Sequence, residues 1–180
     1  MSDDFVRKPS TAGRVALLTD RLLTGPSATV ILEDWCRECG FTAEPILVAL
    51  PVEVSRKVPT HLQCERLAVN GPDNVRYRRV RLTCGDLVLS EAENWYVPDR
   101  LTGAMNHILD TTTMPFGRVV HPLTPSRRNL SLDVLWTPEA GEPGPATALF
   151  AIQAVLSTED GMPFCEVTET YHGAVLLGAG

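Results

Sequence analysis

The segment Val75–Val97, VRYRRVRLTCGDLVLSEAENWYV, constrains the fold most. Two runs of strand-forming residues flank Thr83-Cys84-Gly85-Asp86. This is a tight turn, because Gly tolerates positive φ and Asp bonds its own backbone. The runs Val75–Leu82 and Leu87–Val97 are therefore expected to pair as antiparallel neighbours. Pro98 ends the second, since it lacks the N–H that a continuing strand needs. Alternation puts Tyr77, Arg79 and Arg81 on one face of the first strand and Arg76, Arg78, Val80 and Leu82 on the other. Such an arginine-rich strand has two readings. It is a solvated edge, charged against edge pairing, or it turns one guanidinium inward to hold a carboxylate bidentately.

Residues 1–12 read as disordered and residues 13–180 as one domain, long enough for a sizeable core. Arg14–Leu23 reads as a helix with Val15, Leu18 and Leu22 on one side. Thr24-Gly25-Pro26 breaks it. Ser27 then caps a second helix over Thr29–Cys39, with Ile31, Leu32, Trp35 and Cys36 inward and Gly40 as its terminating glycine. Ile46–Leu50 and Val52–Val58 read as strands separated by Pro51, and residues 59–74 as loop or short helix. After Pro98, Asp99 is positioned to cap a helix over Arg100–Ile108. Met114-Pro115-Phe116-Gly117 reads as a second tight turn, and His121–Pro125 as a loop. Asn129–Trp136 alternates, with Leu130, Leu132, Val134 and Trp136 on one face. An exposed loop, Thr137–Pro145, leads to the apolar strand Ala148–Ser157. Thr158–Gly161 turns the chain into a last strand, Met162–Tyr171. The sum is an α+β single domain built on an antiparallel sheet of about six strands.

Charge limits the partners. The chain has 180 residues, and 16 basic against 22 acidic groups leave −6, a balance that argues against nucleic acid. The N-terminal MSDDFVRKPSTAG has no signal-peptide core, and no apolar run approaches the roughly 18 residues that span a bilayer. A soluble, cytoplasmic protein without a nucleic-acid or membrane partner is expected. Nothing in the residues sets an oligomeric state. The five cysteines fit a reducing compartment. Cys36, Cys39, His61 and Cys64 have the donor types of a zinc site, but Cys36 and Cys39 lie inside a helical pattern. They read as small core hydrophobes, and no metal is expected.

The last strand places Cys165, Val167, Glu169 and Tyr171 on its apolar face and Phe164, Glu166, Thr168 and Thr170 on the other. Glu169 is then either an ion-pair partner of a strand arginine or a carboxyl inside a ligand cavity. Glu166, on the polar face, is expected to be solvated.

Taken together, these segments resemble the chorismate pyruvate-lyase family. The resemblance rests on Pro26-Ser27-Ala28-Thr29-Val30, Tyr77-Arg78-Arg79-Val80, Ala92-Glu93-Asn94-Trp95-Tyr96-Val97-Pro98 with Arg100-Leu101, Met114-Pro115-Phe116-Gly117, and Gly161-Met162-Pro163 with Val167-Thr168-Glu169. It implies an antiparallel sheet with helical flaps over an internal ligand cavity. It implies a carbon–oxygen lyase that makes 4-hydroxybenzoate and pyruvate from chorismate without metal or organic cofactor. Arg79 would pair with the ring carboxylate, and Glu169 would sit near the leaving oxygen. Backbone amides near Ala28 and Phe116 would complete the carboxylate site. The strand Leu149–Gln153 has no Arg or Lys, which points instead to a larger, more apolar substrate in specialised metabolism. A third reading is a non-catalytic small-molecule binding domain, since ligand-sensing domains of some transcription regulators look similar in fold. Against it, the sequence shows no DNA-binding module.

Overall fold

Strand pairing sets the architecture in the computed structural model, which describes residues 9–178. Six strands, β1 Leu47–Pro51, β2 Arg76–Cys84, β3 Leu87–Tyr96, β4 Ser126–Val134, β5 Ala148–Ser157 and β6 Pro163–His172, form one antiparallel sheet in the order β1-β2-β3-β6-β5-β4. The β2–β3 hairpin turns at Gly85-Asp86, where Gly85 has φ +57°. The last strand lies at the centre, with Ser90 opposite Tyr171 on one side and Ile152 opposite Glu169 on the other. Directly opposed residues share a face. Val80, Ala92, Glu169 and Ile152 therefore lie on one face, and Tyr77, Trp95 and Glu166 on the other.

The helices divide between the faces. Helices α1 (Thr11–Thr24), α2 (Ala28–Glu38), α4 (Gly103–Thr111) and α5 (Phe116–Val119) cover the first face. They bury Leu18, Leu22, Leu32, Phe116 and Val119 against Leu82, Leu89, Ile152 and Tyr171. Each such side chain removed from water contributes roughly 1.5–3 kcal/mol. Helix α3 (His61–Arg66) covers part of the other face, beside a small second core of Leu67, Val75, Trp95 and Val97. A C-terminal turn, Gly173–Leu176, closes the helical side: Trp35 Nε1 donates to the Val175 carbonyl at 2.8 Å and Arg14 to that of Leu176 at 2.8 Å.

Caps explain the boundaries. Ser10 Oγ accepts from the Gly13 N–H at 3.1 Å and starts α1 at Thr11, earlier than periodicity suggests. Of the stretch 1–12 expected to be disordered, residues 1–8 lie outside the described residues. Helix α2 ends on Gly40 at φ +70°, with Phe41 N–H bonded to the Cys36 carbonyl and Gly40 N–H to that of Arg37. This double bond pattern favours a glycine at that position.

Four local expectations need correction. Val52–Val58 is not a strand. Pro51 offers no N–H, the Val52 N–H to the Arg79 carbonyl is the last ladder bond, and the chain then leaves the sheet. Asp99 caps no helix: Pro98–Arg100 is a single 3-10 turn, and α4 begins at Gly103 with Thr102 Oγ1 accepting from Met105 N–H at 3.1 Å. Met114–Gly117 is not a free turn but the lead-in to α5. In β4 a bulge between Asn129 and Ser131 resets the alternation, and Leu132 and Val134 are 39% and 65% exposed on an edge strand.

Candidate ligand cavity

A cavity of about 330 Å3 lies between the sheet and the starts of α2 and α5. Its floor is Val80 and Leu82 of β2, Ala92 and Asn94 of β3, Leu156 of β5, and Val167 and Glu169 of β6. Residues 26–30 and 115–117 roof it, and His121, Thr124, Pro125 and Arg127 form one side. The roof requires two helix starts to approach closely. A Cβ on Gly117 would stand 3.0 Å from Thr29 Oγ1 and 3.3 Å from Ser27 Oγ, so only glycine fits without displacement. The first turn of α2 leaves N–H groups with no intrahelical acceptor, and Ser27 adds no side-chain cap bond. Those donors belong to residues that line the cavity.

One ion pair is built into the wall. Arg127 Nη2 donates to Glu169 Oε2 at 2.6 Å, with both side chains more than nine-tenths buried. Tyr171 Oη donates to the same oxygen at 3.2 Å, and Arg127 Nε donates to Asn129 Oδ1 at 3.1 Å. Burial works against the charged guanidinium of Arg127, but the Glu169 carboxylate beside it holds its pKa above the usual value. Burial, followed by the Glu169 charge, pushes the Tyr171 phenol well up, so it stays a donor.

Asn94 is the other polar group of the floor. It is 3% exposed, and its Nδ2 donates to Cys165 Sγ at 3.6 Å. Its Oδ1 is buried with no partner among the described residues. Arg78 pairs with Asn94 across the β2–β3 ladder but is not among the lining residues. Its Nη2 reaches the Met114 carbonyl at 3.5 Å, Nη1 is buried without a partner among the described residues, and burial lowers its pKa.

The structure brings Ala28, Phe116 and Glu169 to this cavity but not Arg79. Val80 and Leu82 take the cavity face of β2, so the two-residue period turns Arg79 away. There it bonds Glu91 Oε2 through Nε at 3.0 Å and Nη2 at 2.6 Å, and Arg81 shares that carboxylate. The cation beside Glu169 is instead Arg127, missed because the reading of β4 began at Asn129. The signal was the Arg127-Arg128 pair, one residue past Pro125. Glu166 is not solvated either. It is 0% exposed, because α3 covers its face and presents Gln63 Nε2 at 3.2 Å and Arg66 Nη1 at 3.2 and 3.3 Å, while Gln153 Nε2 adds a bond at 2.9 Å.

The cysteine candidates do not converge. Cys36 and Cys39 belong to the α2 side of the sheet and His61 and Cys64 to α3 on the other. Among the described residues no group of three or more His, Cys, Asp or Glu side chains is placed to hold a metal ion. Burial, and next the neighbouring Cys84 thiol, push the Cys36 thiol up, so it packs as a neutral core group. No helix of the described residues is long and apolar enough to cross a membrane.

The class is thus an α+β domain whose six-stranded antiparallel sheet is roofed by helices over an internal cavity. That fold is shared with the effector domain of PhnF from Mycobacterium smegmatis, at TM-score 0.57 and 13% identity, over 82% of this chain and 89% of that one. A GntR-family transcriptional regulator from Enterococcus faecalis V583 is similar at TM-score 0.48 and 13% identity, over 70% of this chain and 94% of that one. No family model matches. The uncharacterized protein y4mC of Sinorhizobium fredii (strain NBRC 101917 / NGR234) is 40% identical over 176 residues, which is 88% of this chain and 73% of that protein. The chain belongs to the family of y4mC.

Two expectations change here. The carbon–oxygen lyase is corrected: the solved structure that shares this fold at TM-score 0.57 is an effector domain, not a lyase. The Arg79–Glu169 arrangement assigned to the chemistry also lies on two different faces of the sheet. The expected absence of a nucleic-acid partner has no support beside such neighbours.

Proposed function

We propose that this domain binds a small molecule in the cavity between the sheet and the starts of α2 and α5, and holds it without transforming it. The observation that carries the reading is the cavity itself. It is apolar over most of its wall, has a few convergent polar groups, and is of a size at the lower end of ligand pockets, roughly 300–1,000 Å3. The fold likeness to an effector domain supports a ligand-responsive role. The ligand contacts in this reading are Asn94, Glu169, and the backbone donors near Ala28 and Phe116, with Arg127 holding Glu169 in place. Glu169 has its charge matched within the wall, which suits holding a ligand better than moving a proton.

The test is thermal unfolding against small aromatic and cyclic compounds, with Val167→Phe and Ala92→Leu as two independent cavity-filling variants. Ligands should raise Tm with concentration by mass action, and both fillings should abolish the shift while circular dichroism stays native. Shifts that survive both fillings would place binding elsewhere. Pyruvate released from chorismate would overturn the non-catalytic reading.

A further inference from the structure

The charges that line the cavity cancel one another. Arg127, on the edge strand β4, and Glu169, on the central strand β6, meet at 2.6 Å with side chains 8% and 9% exposed. The remaining titratable lining residue is His121, which is exposed in the 3-10 turn His121–Leu123. Among the described residues the lining therefore holds no buried cation free to receive a carboxylate; Arg78, whose Nη1 has no partner among them, lies outside the lining. A buried carboxylate with no cation is strongly disfavoured against the same group in water.

What the floor does offer is acceptors. Asn94 Oδ1 is buried with no donor among the described residues. Both bonds to Glu169 fall on Oε2, so Oε1 receives none among the described residues. An unpaired buried acceptor is costly, and a matching donor removes that cost. The roof is opposite in character: the first turn of α2 brings N–H groups without an intrahelical acceptor, with no side-chain cap from Ser27, and the positive end of its dipole. A carbonyl or ether oxygen satisfies such donors without bringing a full charge. The chain's net charge of −6 adds a long-range bias against anions.

We infer that the cavity selects an uncharged, compact, largely apolar ligand that gives an O–H or N–H to Asn94 and Glu169 on the floor and an acceptor oxygen to the roof. This rests on the reading of the cavity as a small-molecule site. It specifies a class that a carboxylate-binding site would reject.

Three probes of similar size separate the possibilities: 4-hydroxyacetophenone, neutral with donor and acceptor; 4-methoxyacetophenone, which lacks the donor; and 4-hydroxybenzoate, an anion. Affinities are measured by calorimetry at pH 7 on the wild-type chain. 4-Hydroxyacetophenone should bind at least about tenfold more tightly than either other probe, as loss of one buried hydrogen bond or burial of one charge implies. Asn94→Leu, which leaves the ion pair intact, should shrink the gap between the phenol and its methyl ether by at least about fivefold. Glu169→Gln frees Arg127 and should invert the order, so that 4-hydroxybenzoate becomes the best of the three. Should that variant fail to fold, the Asn94→Leu comparison still decides. A wild-type preference for 4-hydroxybenzoate, abolished by Val167→Phe, would overturn the inference and leave small-molecule binding standing. No binding of any probe at millimolar concentration overturns the inference. If the broader compound set also gives no shift, the binding reading falls with it.

Discussion

Two glutamates three residues apart show how far a single side chain is set by what covers it. Glu169 and Glu166 lie on opposite faces of β6, as alternation requires. Glu169 faces the cavity; Glu166, expected in water, is the more buried of the two because α3 closes over it with Gln63 and Arg66. Glu166→Gln would turn an amide N–H2 toward the donors of Gln63, Gln153 and Arg66. We expect a loss of about 1–3 kcal/mol in urea unfolding with ligand affinity unchanged; a cost under about 0.5 kcal/mol would show the network to be slack. Arg79 has the opposite history. Burial pushes the Glu91 carboxyl up, but the hydrogen bonds and charge of Arg79, then of Arg81, outweigh it and hold the pKa below the usual carboxylate range. A depressed folded pKa contributes stability above the unfolded value, about 4.3, that is lost as pH falls through the folded value. Arg79→Met should therefore flatten the acid limb of stability below about pH 4.3. It should cost no more than about 1 kcal/mol at pH 7, since the pair is partly exposed, and leave ligand affinity alone. A large loss of affinity would return Arg79 to the site. Strand alternation alone already separated Arg79 from Val80 and Leu82. What it could not say was which face the helices would cover, and that choice keeps Arg79 out of the cavity.

Elements were legible where a local rule acts alone. The β2–β3 hairpin follows from Gly85, β5 from an apolar run interrupted only by Gln153, and the end of α2 from Gly40. They were illegible where a distant segment intervenes. Val52–Val58 has the residues of a strand but, after Pro51, nothing to pair with. The start of β4 is hidden because the bulge at Asn129–Ser131 breaks its period, and Arg127 went unseen for that reason. Met114–Gly117 has the composition of a turn, yet it exists to bring α5 against α2. Gly117 marks that contact, so its substitution tests the roof as a unit. Gly117→Val should push the helix starts apart, lowering stability by about 1–3 kcal/mol, as overpacking does, and weakening ligand binding in parallel. Gly103→Ala, at a helix start where a Cβ meets nothing within 4 Å, should be neutral or slightly stabilising. Equal behaviour of the two variants would mean that the α2–α5 contact does not define the cavity.

At the scale of the molecule, the order β1-β2-β3-β6-β5-β4 makes the last strand the keystone. Without β6, the hairpin with β1 and the β4–β5 pair have no contact through the sheet, and each would expose an edge that is internal in the native fold. β6 also carries Glu169 to Arg127 and Glu166 to α3, joining the edge strand to the centre and one face to the other. Its closure pairs Ser90 with Tyr171, a long loop to close before any contact offsets it. Folding should therefore be all-or-none and slow for this size, since non-local antiparallel contacts dominate. A chain ending at Gly161 retains helices α1 to α5 and five of the six strands, so a purely local account would keep much of its structure. The topology argues otherwise. We expect that truncation to show no cooperative transition in thermal or urea unfolding and to bind none of the wild-type ligands. Adding residues 162–180 as a separate peptide should restore both the transition and the binding, because that strand supplies the ladder partner that both β3 and β5 lack. A cooperative transition in the truncated chain alone would show that β1–β3 or β4–β5 is a folding unit in its own right, and that the cavity floor is assembled after folding rather than by it.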